Sequence, residues 1–163
     1  MKKRSIGVVS VARSDSGIYT PVMKLIQEHP SLDLNLIVAG MHLSNEFGST
    51  YKYFEENSFK IFEKVEMTMS ADTPEGIAKS MGLGIISFGQ LLGRWQPDIL
   101  MVLGDRYEML AAAAAAMPFA IPIAHLHGGE ATEGLIDEPI RHSITKMSHL
   151  HFVSTKKYYD RVV

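Results

Sequence analysis

Ile99-Leu-Met-Val-Leu103-Gly104-Asp105-Arg106-Tyr107-Glu108-Met109-Leu110, a run of alanines from Ala111 to Ala116, and Met117-Pro-Phe-Ala-Ile121-Pro-Ile-Ala-His125 decide the fold. Ile99 to Leu103 is an unbroken β-rich apolar run, the pattern of a strand covered on both faces. Tyr107 to Met117 is alanine-rich and reads as a buried helix, and Ile121 to His125 reads as the next strand. Strand, helix and strand in about 27 residues form a unit whose strands must be parallel and joined by a right-handed crossover.

The same alternation extends to either side. Ile6 to Val11 predicts a strand, and Ile18, Val22, Leu25 and Ile26 recur at helical spacing until His29-Pro30 stops them. Leu32 to Ala39 predicts a second strand, Tyr51 and Phe54 a short helix ending near Asn57, and Lys60 to Val65 a third strand. Thr73-Pro74-Glu75 has the order of an N-cap, a first-turn proline and an acidic first turn, and Ile77, Met81, Ile85, Phe88 and Leu92 follow on one face up to Pro97. Beyond the central unit, Pro139 to Ser148 predicts a helix and His151 to Ser154 a sixth strand. The fold class is α/β, a doubly wound parallel sheet in one domain spanning 1–163, without internal repeats or a linker.

Composition excludes several classes. With 16 Lys and Arg against 18 Asp and Glu, dispersed along 163 residues, the net charge of -2 gives no basic stripe for nucleic acid. Zero cysteines exclude disulfides, thiolate metal ligands and a cysteine nucleophile. Met1-Lys-Lys-Arg4 resembles the start of a signal peptide, but Ser10, Arg13, Ser14 and Asp15 interrupt the apolar stretch, so the expected location is the cytosol. Met109 to Ala124 falls short of the roughly 20 residues of a membrane helix and contains Pro118 and Pro122. No membrane association is expected.

In an open parallel sheet, ligands bind at the carboxyl ends of the strands. Arg13 follows the first strand, His42 the second, Asp105 the fourth and Glu130 the fifth, and Asp137 and Arg141 open the following helix four residues apart. Three carboxylates with interleaved arginines at one edge suit acid and base chemistry beside an anionic leaving group. Each group also has a plainer reading. Asp137 could be an N-cap or an ion-pair partner of Arg141, Asp105 a cap with Arg106 and Glu108 in a solvated first turn, and His127-Gly-Gly-Glu130 a simple turn. Gly82, Gly84 and Gly89 imitate a nucleotide fingerprint but lie within a helix, where close packing explains them better. His125, His127, Glu130 and His142 match no metal-motif spacing, so no metal is expected. His149 and His151, flanking a strand start, read as structural, and the ten methionines as core filling.

Five blocks taken together carry a resemblance: Val11-Ala-Arg13-Ser-Asp15-Ser-Gly17-Ile-Tyr19, Ala39-Gly-Met-His42-Leu-Ser-Asn-Glu-Phe-Gly48, Gly104-Asp105-Arg106-Tyr-Glu108, His127-Gly-Gly-Glu130, and Ile136-Asp137-Glu138-Pro-Ile-Arg141-His142-Ser-Ile-Thr-Lys146. In this order they resemble the hydrolysing UDP-N-acetylglucosamine 2-epimerases, most of all the bacterial enzymes of sialic and legionaminic acid synthesis. The resemblance implies a Rossmann-like domain, the amino-terminal half of a glycosyltransferase-B architecture whose second domain supplies much of the nucleotide pocket. It implies release of UDP from a UDP-linked N-acetylhexosamine with inversion at carbon 2, through a glycal-like intermediate and without metal or redox cofactor. By matching position, Asp105, Glu130 and Asp137 are the acid/base carboxylates and Arg141 an active-site cation. Arg13, Gly17 and Arg106 are nucleotide-sugar contacts, with His42 and His142 as further candidates. A chain holding only this half is expected to be weak or inactive alone and to associate with the missing domain or with further copies of itself. A nucleotide-sugar-binding module and a glycosyltransferase of the same architecture are the competing classes.

Overall fold

The computed structural model describes residues 2–69, 73–132 and 136–163. The strands are β1 (Arg4–Ser10), β2 (Leu32–Ala39), β3 (Ile61–Val65), β4 (Ile99–Leu103), β5 (Ile123–Leu126) and β6 (Leu150–Phe152). The helices are α1 (Arg13–Glu28), α2 (Lys52–Glu56), α3 (Pro74–Arg94), α4 (Tyr107–Ala116), α5 (Asp137–Met147) and α6 (Lys156–Val162). All strands are parallel, in the order β3-β2-β1-β4-β5-β6. The chain therefore winds outward from β1 in one direction and from β4 in the other. Crossovers of one hand running in opposite directions place helices on opposite faces of the sheet, and the carboxyl ends of β1 and β4 flank the point of reversal.

Val8 and Val9 of β1, Leu36 and Ile37 of β2, Leu100 and Val102 of β4, and Ile123 of β5 are all fully buried. α4 is buried along most of its length, with Ala111, Ala112, Ala113 and Ala116 inaccessible to solvent. Its methyl side chains let α3 and α5 pack closely against it. Thr73 caps α3 as expected, its Oγ1 accepting from the Gly76 N–H at 3.0 Å.

Several boundaries differ from the sequence expectation. β5 starts at Ile123, after Pro122, which has no N–H to donate to a ladder. β6 is Leu150–Phe152, starting one residue before His151 and ending before Ser154. α5 begins at Asp137, placing Pro139 within the first turn, where a missing N–H costs nothing. Asp137 is thus the first helical residue, and the N-cap is Ile136, which makes no side-chain cap bond. The glycines of α3 divide in role. A Cβ on Gly84 would lie 2.9 Å from the Ala111 Cβ and 2.5 Å from the Met67 Cε, whereas Gly82 and Gly89 have nothing within 4 Å. Close packing accounts for Gly84 alone of these three. Gly84→Val should destabilise by about 1–3 kcal/mol through overpacking, while Gly82→Ala and Gly89→Ala should stabilise by up to about 1 kcal/mol through helix propensity. Thermal melts of the three variants test this, and equal effects would refute it.

Candidate active site

β4 is followed by Gly104, whose left-handed φ of 71° turns the chain so that Asp105 and Arg106 sit at the carboxyl edge of the sheet. The turn is anchored from β5. His125, fully buried, places Nε2 2.7 Å from the Gly104 carbonyl and Nδ1 3.1 Å from the Thr145 Oγ1 on α5. A carbonyl only accepts, so Nε2 carries the proton and, in the neutral ring, Nδ1 accepts from the threonine. Burial pushes the His125 pKa down to about 4. The unfolded chain, with an ordinary value near 6.5, therefore binds a proton that the folded chain refuses. Stability must fall as pH drops from about 6.5 toward 4, by about 2 kcal/mol between pH 7 and pH 5 from this group alone. His125→Gln should remove that part of the slope, as read from urea midpoints at the two pH values. Parallel slopes for the two proteins would disprove the assignment.

Arg141 is the cation at the centre of the edge. Only 3% exposed, it pairs with Asp105 across the sheet. It also donates to Glu138 Oε2 at 2.8 Å, to the Glu130 carbonyl at 2.9 Å and to the Thr132 Oγ1 at 2.7 Å. The guanidinium thus joins four acceptors from the turn after β4, the β5–α5 connection and α5. Burial, followed by the nearby Arg161, lowers its pKa, but a guanidinium stays charged at any working pH. The plainer alternative, an Asp137–Arg141 helix pair, is not what forms: Arg141 turns to Asp105 and Glu138, and Asp137 stands half-buried at the start of α5.

Glu138, in the first turn of α5, is a hub. It accepts from the Thr132 N–H at 2.9 Å and from Arg161 at 3.1 Å, and lies 3.1 Å from the His142 Nε2. The Thr132 hydrogen bond foremost, with His142 and Arg161, lowers its pKa. Glu130 lies 2.8 Å from the His127 Nδ1 and accepts from the Ser154 Oγ at 2.9 Å. Ser154 and Arg161 follow β6, and nothing in their local sequence pattern signals a part in the site.

The plainer alternative at Arg106 and Glu108, a solvated first turn, does not hold either. Glu108 is fully buried and receives two bonds from Arg106, Nη2 to Oε1 at 2.9 Å and Nε to Oε2 at 3.2 Å. Burial opposes the Arg106 charge, but Glu108 outweighs it and raises the pKa. Arg106 and Tyr107 border a cavity of about 650 Å³ with Met41, Met67, Met69 and Ile77 on its other walls. Arg13 and Gly17 lie exposed on the first turns of α1, where a Cβ at Gly17 would meet open space. His42 is fully buried, with Nε2 2.9 Å from the Ser10 Oγ and Nδ1 2.8 Å from the Thr50 Oγ1. Burial lowers its pKa, so it braces the loop after β2 as a neutral ring. Among the described residues, no group of three or more His, Cys, Asp or Glu is placed to hold a metal ion. No described helix is long and apolar enough to cross a membrane.

A family model described as UDP-N-acetylglucosamine 2-epimerase matches residues 24–163. The chain belongs to this epimerase family. Among curated relatives, the Campylobacter jejuni GDP/UDP-N,N'-diacetylbacillosamine 2-epimerase (hydrolyzing) is 44% identical over 163 residues, covering 100% of this chain and 42% of its own length. The Escherichia coli polysialic acid biosynthesis protein P7 is 41% identical over 163 residues, covering 100% of this chain and 41% of its own length. A crystal structure of the UDP-GlcNAc 2-epimerase from Neisseria meningitidis bound to UDP-GlcNAc superposes with a TM-score of 0.84 at 20% identity, over 97% of this chain and 42% of the other. The Rossmann-like sheet expected from the resemblance is thus shared with solved members of the epimerase family. The chain spans about two-fifths of the length of the curated relatives it matches.

Proposed function

We propose that this chain supplies the acid/base half of a hydrolysing 2-epimerase that acts on a UDP-linked N-acetylhexosamine. The observation that carries the reading is Arg141 at the carboxyl edge of the sheet, where it pairs with Asp105 and holds the Glu130 backbone carbonyl, with Asp137 opening the helix on which it sits. One carboxylate removes the proton from carbon 2, and the C–H electron pair forms the carbon 1–carbon 2 double bond as the bond from carbon 1 to the diphosphate breaks. Water then adds at carbon 1, and a second carboxylate returns a proton to the opposite face of carbon 2. The products are UDP and the sugar inverted at that carbon. Arg106 and the exposed Arg13 offer positive charge to the departing diphosphate. Asp137, half-buried at the first turn of α5, is available for proton transfer.

The reading extends to a complete two-domain enzyme of nucleotide-sugar metabolism, working in the cytosol on precursors of sialic-acid-type sugars and assembling with its second domain and with further copies. The relatives named for diacetylbacillosamine and polysialic acid support this range of products. The test uses two proteins. One is residues 1–163 alone. The other is this chain joined to the remaining length of the Campylobacter relative. Each is incubated with UDP-N-acetylglucosamine and with its 2,4-diacetamido-trideoxy analogue, and UDP release and the sugar product are followed by NMR. The joined protein should release UDP and a carbon-2-inverted sugar, with residues 1–163 weak or silent. Transfer to an acceptor with carbon 2 unchanged would identify a glycosyltransferase, and binding without turnover a sugar-nucleotide-binding module.

A further inference from the structure

The turn that carries Glu130 is held from two sides. His127 is a non-glycine residue in the left-handed region, with φ of 60°, and its N–H donates to the Phe152 carbonyl at the end of β6 at 2.8 Å. Two residues on, Gly129 has φ of 77°, and a Cβ there would lie 2.5 Å from the Tyr158 carbonyl oxygen and 2.8 Å from the Val162 Cγ2. α6 therefore rests directly on the turn, and only glycine permits the approach. A residue other than glycine in the left-handed region, beside a reactive carboxylate, is where a fold stores conformational strain in the service of a site.

The side chains show what this arrangement achieves. The His127 Nδ1 and the Ser154 Oγ both address the same oxygen of Glu130, Oε1, at 2.8 and 2.9 Å. An ionised carboxylate only accepts, so Nδ1 of His127 carries a proton and Ser154 donates its hydroxyl hydrogen. Among the described residues, no hydrogen bond reaches Oε2. The Glu130 backbone carbonyl is itself fixed by Arg141. One oxygen is occupied by two donors, while the other receives none from the described residues.

We propose that His127 and Ser154 are positioning residues for Glu130: by taking up Oε1 they set the rotation of the carboxylate and leave Oε2 as the atom through which its proton is exchanged with the substrate. This rests on Glu130 being an acid/base group of the proposed epimerase. In proton removal, the hydrogen of carbon 2 passes to Oε2 while its bonding pair enters the new double bond; in the reverse role Oε2 gives its proton back. Neither His127 nor Ser154 exchanges a proton with the sugar. Their contribution is orientation, and a reacting atom misplaced by a fraction of an ångström loses rate without losing affinity.

Two measurements test the proposal separately from the function. On residues 1–163 alone, two-bond proton–nitrogen correlation spectra of the His127 ring should place a proton on Nδ1, and Glu130→Ala should abolish that preference. In the joined two-domain protein, Ser154→Ala and His127→Asn, the latter chosen because asparagine tolerates the left-handed backbone, should each lower kcat by about tenfold or more. KM should stay within about twofold, and Ser154→Thr, which keeps the hydroxyl, should restore most of the rate. A bare Nδ1 in His127, or unchanged kcat in both variants, overturns the proposal. A joined protein that never releases UDP instead counts against the function, and the ring spectra still decide the geometry.

Discussion

Glu130→Gln is expected to lower turnover by the joined two-domain protein about 10³-fold, within the range that a positioned acid or base contributes. That corresponds to about 4 kcal/mol of transition-state stabilisation. The substitution is nearly isosteric. A glutamine oxygen can still accept from Ser154 and His127, so the turn between β5 and α5 should keep its shape. What is lost is the ability of the second heteroatom to take or give a proton. Affinity for UDP, which this side chain does not hold, should change by less than about threefold. Single-turnover kinetics, together with titration of UDP, separate the two quantities. If turnover stays within tenfold of the unmutated protein, Glu130 is a structural member of the turn and the acid/base work falls to Asp105 and Asp137.

Arg141→Met should produce the largest loss of stability among substitutions at the edge. Removing the guanidinium leaves Asp105 without its ion-pair partner and the Glu130 carbonyl and the Thr132 hydroxyl without their donor, and takes one of several partners from Glu138, which keeps the Thr132 N–H and Arg161. Deleting one member of a buried pair costs about 3–5 kcal/mol. The side chains of Asp105 and Glu138 keep 25% and 28% of their exposure, so water recovers part of that cost, and about 2–3 kcal/mol remains. In urea this moves the unfolding midpoint down by about 1 M or more. Arg141→Lys should recover only a fraction, because one ammonium cannot reach four acceptors in a planar fork. A methionine variant within about 0.5 kcal/mol of the parent would mean that the pairing with Asp105 is electrostatically empty.

Much of this molecule was legible in its sequence. The apolar runs Ile6 to Val11 and Ile99 to Leu103 announce strands covered on both faces, and Thr73-Pro74-Glu75 announces the start of α3, because these signals depend on burial and backbone chemistry local to a few residues. The direction of the strands follows from the intervening helices, and with it the edge where Asp105, Glu130 and Asp137 collect. The blocks around those residues were sufficient to indicate the epimerase family before any contact was known.

The pairings were a matter for the tertiary structure. Asp137 and Arg141 are spaced for a helix ion pair, yet Arg141 reaches Asp105 instead, because β4 and β5 are neighbours and the edge brings Asp105 over α5. Glu108 looked like a solvated first-turn acid, but it lies buried with Arg106 as its partner. Ser154 and Arg161 carry no local signal at all; β6 and α6 fold back beside the turn of Glu130 and deliver them. Local periodicity and turn chemistry determined which elements form and in what order, since those preferences act within a few residues. Which charge faces which was decided by strand adjacency and desolvation, which exist only once distant segments are packed together.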